Sequence, residues 1–347
     1  MMKAVVKYAP GVGNVELRDV EEPRPKPGYV VAEVKAAGVC GSELHLYHNT
    51  LQFKLRTPVI MGHEFSGIIS AVGEGVQGWK AGDRVVCETT SYHCGTCIPC
   101  RQGCYNHCIE RKVIGMYDNG CFTSYILIHE SRVHRLPDNI DFHAGVLIEP
   151  LACCVVTVTE ITKVLSGDLV VVAGPGTIGI LSLQLAKAAG AYTVIYGTAQ
   201  DRHRLELAKR LGADEALIID ETDIVEHILR LSGGHGADIF LECSGAPSAA
   251  RQGFRLTRRM GKYTQIGLAD KPFEVDLAQI AYRGLKVRGA AGQKWPAWER
   301  ALNLVTRGKV DTRPLVSHVM PLSQWEEAFH TFENKKGVKI LLEPEKE

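Results

Sequence analysis

Cys40, His63, Glu64 and Glu149 are the residues of this chain whose types and spacing best suit chemistry. Cys40 opens Cys40-Gly41-Ser42-Glu43-Leu44-His45, His63 follows 23 residues later in Gly62-His63-Glu64-Phe65-Ser66-Gly67, and Glu149-Pro150 lies downstream. Thiolate, imidazole and carboxylate together are the mixed sulfur, nitrogen and oxygen donors of a catalytic zinc with an open position. Neighbouring residues of a strand point to opposite faces, so His63 and Glu64 can share a metal only at a turn, which Gly62 and Gly67 are expected to permit. Ser42, two residues after Cys40, offers a hydroxyl that could accept a proton beside such a metal.

A second cluster is denser. Cys94-Gly95-Thr96-Cys97-Ile98-Pro99-Cys100 is followed by Cys108, giving gaps of 2, 2 and 7 residues. Four such thiolates can wrap one tetrahedral ion, and a saturated site of this kind is structural. Cys104, His93 and His107 are alternative ligands on spacing alone. The only bases in the lobe are Arg101, Arg111 and Lys112, too few for a nucleic-acid-binding zinc ribbon.

The elements that must position these groups divide the chain. Through about residue 150, short valine- and alanine-rich strands (Lys3 to Ala9, Tyr29 to Ala37, Phe65 to Val72, Asp83 to Cys87, Phe122 to His129) alternate with glycine turns. This pattern predicts a partly open β-barrel. The period then changes. The apolar run to Ala173 leads directly into Gly174-Pro175-Gly176-Thr177-Ile178-Gly179 and a helical spacing of Ile178, Leu181, Leu185 and Ala188. A glycine fingerprint between a strand and a helix is a dinucleotide-binding turn, whose glycines admit a pyrophosphate to the helix N-terminus. Six strands in all, ending with Leu285 to Val287, predict a doubly wound parallel sheet of Rossmann type, an α/β fold. Ligands bind at the carboxyl ends of such strands, which points to Ser244-Gly245, Ile266-Gly267-Leu268 and Ala290-Ala291-Gly292. Ser323 with Glu326 has the spacing of a capping box.

Length and composition agree. A chain of 347 residues, 45% hydrophobic, is expected to form two domains. A formal net charge of +1 carries no nucleic-acid footprint, and no apolar run is long enough for a membrane span. Eleven cysteines, with no signal-like apolar stretch after Met1, predict metal or buried thiols in a cytoplasmic protein.

The stretch from Gly62 through Glu64, Gly67 and Gly73 to Val76 resembles the signature of zinc-containing medium-chain dehydrogenases. Cys-Gly-Ser-Glu-Leu-His and Ile148-Glu149-Pro150-Leu151 resemble their sorbitol and L-threonine dehydrogenase branch. The resemblance implies a GroES-like catalytic domain at 1–152 with a structural zinc lobe at about 93–110, a Rossmann domain at 153–289, and a return to the first domain at 290–347, with the active cleft between the domains. It implies two zinc ions per chain. Cys40, His63 and Glu64 hold the catalytic ion, with Glu149 bound directly or through water. Cys94, Cys97, Cys100 and Cys108 hold the structural one, leaving Cys104 aside. A proton route runs from Ser42 through the cofactor ribose to His45. Ser244, Ile266, Gly267 and Leu268 surround the nicotinamide half. The reaction is reversible hydride transfer between a small secondary alcohol, of polyol or sugar-alcohol type, and NAD or NADP, and the family's assembly is a homodimer or homotetramer.

Departures from the family narrow the specificity. Where an NAD enzyme carries an acid after the second Rossmann strand, this chain has Gly197, followed by Thr198, Arg202 and Arg204. Loss of the acid removes repulsion against a 2′-phosphate and the arginines supply charge, which leans to NADP; Asp201 keeps NAD open. Leu46 stands where resembling sorbitol dehydrogenases carry a tyrosine, and Gly292-Gln293 where they carry an Arg-Tyr pair for polyol hydroxyls. Val156 replaces a histidine. Tyr47, Phe53 and Glu149 are candidate pocket residues, and Trp295 and Trp298 are assigned to packing. L-threonine oxidation, a zinc-free quinone reductase and an NADPH-binding sensor without turnover are the other readings.

Overall fold

The computed structural model describes residues 1–50, 55–269, 271–289 and 291–345; Phe53 and Ala290 lie outside them. The chain forms two compact units. One comprises Met1–Ala152, Gly292–Thr306 and Thr312–Glu347, the other Cys153–Ala291 and Arg307–Asp311.

The first unit is built on antiparallel strands. Tyr29–Gly38 lies at its centre, pairing along its length with Glu64–Val72, with Tyr125–His129, and at its end with Lys339–Glu343. Lys339–Glu343 also pairs in parallel with Val316–Pro321, so the last strand of the chain is built into this sheet. Inward positions such as Val30, Ala32, Val34, Phe65, Ile69, Ile126 and Leu342 close one apolar core. Burying each large aliphatic side chain here contributes about 1.5–3 kcal/mol. The expected turn at His63-Glu64 takes a specific form. Gly62 turns the chain at φ +89°, and Glu64 is already the first residue of a strand. Gly67 is no turn: it sits inside that strand, where a Cβ would lie 2.2 Å from the carbonyl oxygen of Glu33.

The second unit is a six-stranded parallel sheet. Its spatial order is Glu215–Ile218, Tyr192–Gly197, Leu169–Ala173, Ala237–Glu242, Thr257–Gln265 and Lys286–Gly289. With the strands numbered along the chain this is the order 3-2-1-4-5-6, that of a dinucleotide-binding sheet. Residues Val170 to Ala173 are fully buried, as a central strand covered on both faces requires.

Elsewhere element ends shift by up to a few residues, as where the strand expected from Phe122 begins at Tyr125, and one expectation fails. The helix at Trp325–Glu333 has no capping box from Ser323, because a short 3-10 turn at Leu322–Gln324 precedes it. The Ser323 hydroxyl instead donates to Glu345. Among the described residues no helix is long and apolar enough to cross a membrane.

Candidate active site

One carboxylate that spacing alone did not single out organises the metal site. The helix Gly41–Tyr47 starts just after Cys40, and Glu43 in its first turn is fully buried. Its Oε2 accepts the Cys40 backbone N–H at 2.9 Å, and its Oε1 lies 2.6 Å from His63 Nδ1. A carboxylate can only accept, so Nδ1 carries the proton and Nε2 keeps its lone pair for a metal. Burial opposes a charged His63, but Glu43 and Cys40 together outweigh it and draw the ring's pKa well above the usual value. The signal available in the sequence was an acid three residues into a helix that begins at a ligand.

Ligand atoms of Cys40, His63 and Glu64 come within 4.8 Å of one another, two of them on buried residues. Glu64 is 1% exposed, and its Oε2 makes no hydrogen bond. It is met instead by the ammonium of Lys339, also 1% exposed, in an ion pair without hydrogen-bond alignment. Lys339 Nζ donates to Val39 O at 2.9 Å. Burial alone would lower the Lys339 pKa, yet the Glu64 carboxylate, with Cys40 and Glu43, more than offsets it and the pKa is raised. Gly38 makes room for this pair, because a Cβ there would come 2.5 Å from Glu64 Oε2 and 2.7 Å from Lys339 Cε. A buried carboxylate left without hydrogen bonds on one oxygen, beside a thiol and a fixed imidazole, suits a divalent cation.

Glu149 is not part of that tight trio, but it is buried within electrostatic reach of His63, Glu64 and Lys339. Burial pushes its pKa up to about 7. The thiol of Cys40 reaches Ser42 Oγ at 3.9 Å, and His45 Nδ1 lies 2.8 Å from Thr50 Oγ1. Tyr47 packs its ring against Trp325 and Phe329, and Leu46 is buried in the core.

The second cluster gathers Cys94, Cys97, Cys100 and Cys108. The Cys94 sulfur is 4.0 Å from that of Cys100 and 3.5 Å from that of Cys108. Four sulfurs at about 2.3 Å from one ion lie about 3.8 Å apart in a tetrahedron, so the spacing fits zinc. All eleven cysteines are free thiols. The Cys97 backbone N–H holds Cys94 down to about 6, whereas burial pushes Cys100 up to about 12. Four crowded thiols cannot all ionise without a cation. Two of the three alternative ligands are engaged elsewhere: Cys104 donates to Gln102 O, and His93 lies 2.6 Å from Arg132 and stacks on Tyr105.

Buried His134 is structural. It bonds to Glu88 at 3.3 Å and Glu299 at 2.8 Å and stacks on Trp298, which is buried with it.

In the parallel-sheet unit, Gly174 turns at φ +95°, and a Cβ on Gly179 would come 1.9 Å from Gly174 O. A Cβ on Gly176 would meet nothing within 4 Å, so the backbone there is open to a ligand. Gly176 caps the twelve-residue helix Thr177–Ala188 without a side-chain acceptor, and such an N-terminus favours an anion. Buried Glu242 holds two loops at the carboxyl end of the sheet. Its carboxylate accepts Ser244 N, Gly245 N and Gln265 Nε2, while its backbone oxygen accepts Ile266 N and Gly267 N. Leu268 is exposed.

At the ribose end, Gly197 cannot carry a side chain, since a Cβ would lie 2.8 Å from the Pro175 ring. Thr198 donates its hydroxyl to Asp201 at 2.8 Å, and Arg204 pairs with the same carboxylate at 3.1 Å. Two of the three groups expected to receive a 2′-phosphate are therefore bound up with Asp201. Arg202 is exposed and pairs with Glu221.

Comparison with known proteins agrees with these two units. Residues 26–138 match the alcohol dehydrogenase GroES-like domain, and residues 177–307 match the zinc-binding dehydrogenase domain. The chain belongs to the zinc-containing medium-chain alcohol dehydrogenase family. It is 41% identical over 344 residues to a sorbitol dehydrogenase of Halalkalibacterium halodurans, covering 99% of both chains. It is 35% identical to a D-arabitol-phosphate dehydrogenase of Enterococcus avium, covering 99% of this chain and 97% of the relative. The structure assigned to a zinc-binding dehydrogenase of Sinorhizobium meliloti 1021, bound to NADP, superposes with a TM-score of 0.90 at 30% identity, covering 99% of each chain. As a member of this family the chain is a zinc-dependent oxidoreductase of small-molecule alcohols with NAD(P).

Proposed function

We propose that this protein oxidises a secondary alcohol of polyol or sugar-alcohol type, and reduces the corresponding ketone, with NAD(P). Cys40, His63 and Glu64 hold the catalytic zinc, with Glu149 at its edge. Cys94, Cys97, Cys100 and Cys108 hold a structural zinc. The observation that carries the reading is the convergence of three ligand atoms within 4.8 Å, together with Glu43, which fixes His63 in the ligating tautomer. When bound, the catalytic zinc acts as a Lewis acid that lowers the alcohol's pKa. The chain does the rest. Glu43 orients the imidazole, Ser42 accepts the alcohol proton, and His45 passes it towards solvent. Gly174, Gly176, Thr177, Ile178 and Gly179 receive the cofactor pyrophosphate. Ser244, Ile266, Gly267 and Leu268 flank the nicotinamide half, held by Glu242.

Leu46 and Gln293 offer no free hydroxyl-binding group, so recognition of the distal end of a polyol is expected to differ from that of a sorbitol dehydrogenase. The test is a panel of polyols, sugar-alcohol phosphates and amino alcohols, run with both cofactors on zinc-loaded protein. A polyol or its phosphate is expected to give the highest kcat/KM, and faster turnover of L-threonine than of every polyol would refute the substrate class. Use of NADP rests on Gly197, Thr198, Arg202 and Arg204, with Arg202 as the cation freest to reach a phosphate. Arg202→Ala is expected to raise KM for NADP about fivefold and leave KM for NAD unchanged, the size typical of an exposed ion pair. Equal shifts for both cofactors would remove Arg202 from phosphate recognition. A cytoplasmic homodimer or homotetramer completes the proposal, supported by the density of free thiols and by the family's habit.

A further inference from the structure

We infer that Gln293 is a positioning residue that commits one oxygen of Glu149 and so keeps Glu149 an exchangeable partner of the catalytic metal. The inference rests on the metal-site reading above. Gln293 is 1% exposed, and both ends of its amide are engaged. Nε2 lies 2.5 Å from Glu149 Oε1, and Oε1 lies 3.1 Å from Thr89 Oγ1.

The direction of the chain is decided by what each group can donate. Arg111 is a donor only, and its Nη2 reaches Thr89 Oγ1 at 3.1 Å. The Thr89 hydroxyl therefore spends its own proton on Gln293 Oε1. The amide is held in one orientation, with its NH2 towards Glu149. Arg111 is itself anchored, through Nε to Thr90 Oγ1 at 2.9 Å and through Nη1 to Asn106 O at 3.3 Å, beside the structural cysteines. Gly292, at φ +67°, keeps the chain close to that guanidinium, since a Cβ there would lie 3.0 Å from Arg111 Nη1. A relay of side chains thus runs from the four-cysteine lobe through Arg111, Thr89 and Gln293 to Glu149.

A carboxylate oxygen that accepts an amide N–H has part of its charge compensated and must break that bond before it can turn to a metal. With Oε1 committed, Glu149 cannot close over a metal with both oxygens. Gln293 is turned inward to Glu149, so its amide serves a metal-site residue. Without the amide, the buried carboxylate would lose one of its compensating partners, would lean more heavily on a bound zinc, and would hold it more tightly.

The test measures release of zinc from the holoenzyme to a chromogenic chelator, with the structural ion as an internal reference. Gln293→Leu is expected to slow release of the catalytic zinc about tenfold, the size of one hydrogen bond to a charged group, and to leave the structural zinc unchanged. The effect should vanish in a Glu149→Gln background, because Gln293 acts through Glu149. Thr89→Val, which removes the orienting hydroxyl at constant volume, is expected to slow release in the same sense by a smaller factor. An unchanged or faster release in Gln293→Leu, or a slowing that persists undiminished with Glu149→Gln, overturns the inference. Wild-type protein that binds one zinc instead of two would overturn the metal-site reading itself, so the two failures are distinguishable.

Discussion

His63→Ala is expected to leave a folded protein with one zinc equivalent instead of two and to lower alcohol oxidation about a thousandfold or more. The imidazole is one of three donors gathered within 4.8 Å, and Cys40 and Glu64 alone cannot complete the three-protein-ligand set of a catalytic zinc. Loss of the ion removes several kcal/mol of transition-state stabilisation, and each 1.36 kcal/mol is tenfold in rate. A structural cost accompanies the catalytic one. Glu43 is fully buried, and the substitution strips the 2.6 Å partner from its Oε1, at about 1–3 kcal/mol of stability. The four-cysteine site is independent and should keep its metal. Metal analysis and steady-state rates on the same preparation decide the matter. A variant that retained both ions and more than a tenth of the activity would show that His63 is not a ligand.

Lys339→Met is expected to make the fold of the catalytic unit depend on zinc. Lys339 and Glu64 are each 1% exposed and face one another as an ion pair. Breaking a buried pair by removing one partner costs about 3–5 kcal/mol, because the remaining charge is left uncompensated. Methionine keeps the length and the apolar stem but supplies no charge and no donor for Val39 O. In the metal-free protein, Glu64 would then stand buried without its ammonium partner. In the zinc-loaded protein the ion would neutralise it, so the loss should shrink. Denaturant unfolding of apo and zinc-loaded samples is the measurement. Wild type and variant should differ by several kcal/mol without zinc and by much less with it. An equal loss in both states would mean that Lys339 stabilises the fold without reference to the site.

The chemistry of the chain was legible in local stretches. Cys40-Gly-Ser and Gly-His63-Glu64 show a ligand set at short range, and the four-cysteine lobe is a single segment whose spacing already suits a tetrahedron. The glycine fingerprint reads clearly because the strand before it is continuously apolar and the helix after it is periodic. The turn was harder to place than its glycines suggested, since Gly62 bends the chain while Gly67 lies in a strand to let the Glu33 carbonyl approach. Arg204 shows the limit of reading charge from sequence. It looked like a phosphate donor, but it is buried and its guanidinium faces Asp201 three residues away.

What the amino-acid order by itself determined is therefore which metals and which cofactor class this protein is built for, because those signals lie in contiguous residues whose backbone must turn, cap or alternate in one way. Only the tertiary structure decided how the ligands are held. Glu43 reaches His63 across 20 residues, Gln293 reaches Glu149 across 144, and Lys339 reaches Glu64 from the last strand of the chain. A buried polar group must find a partner when water is removed, and which partner it finds depends on how the strands pair, not on what stands beside it in the chain.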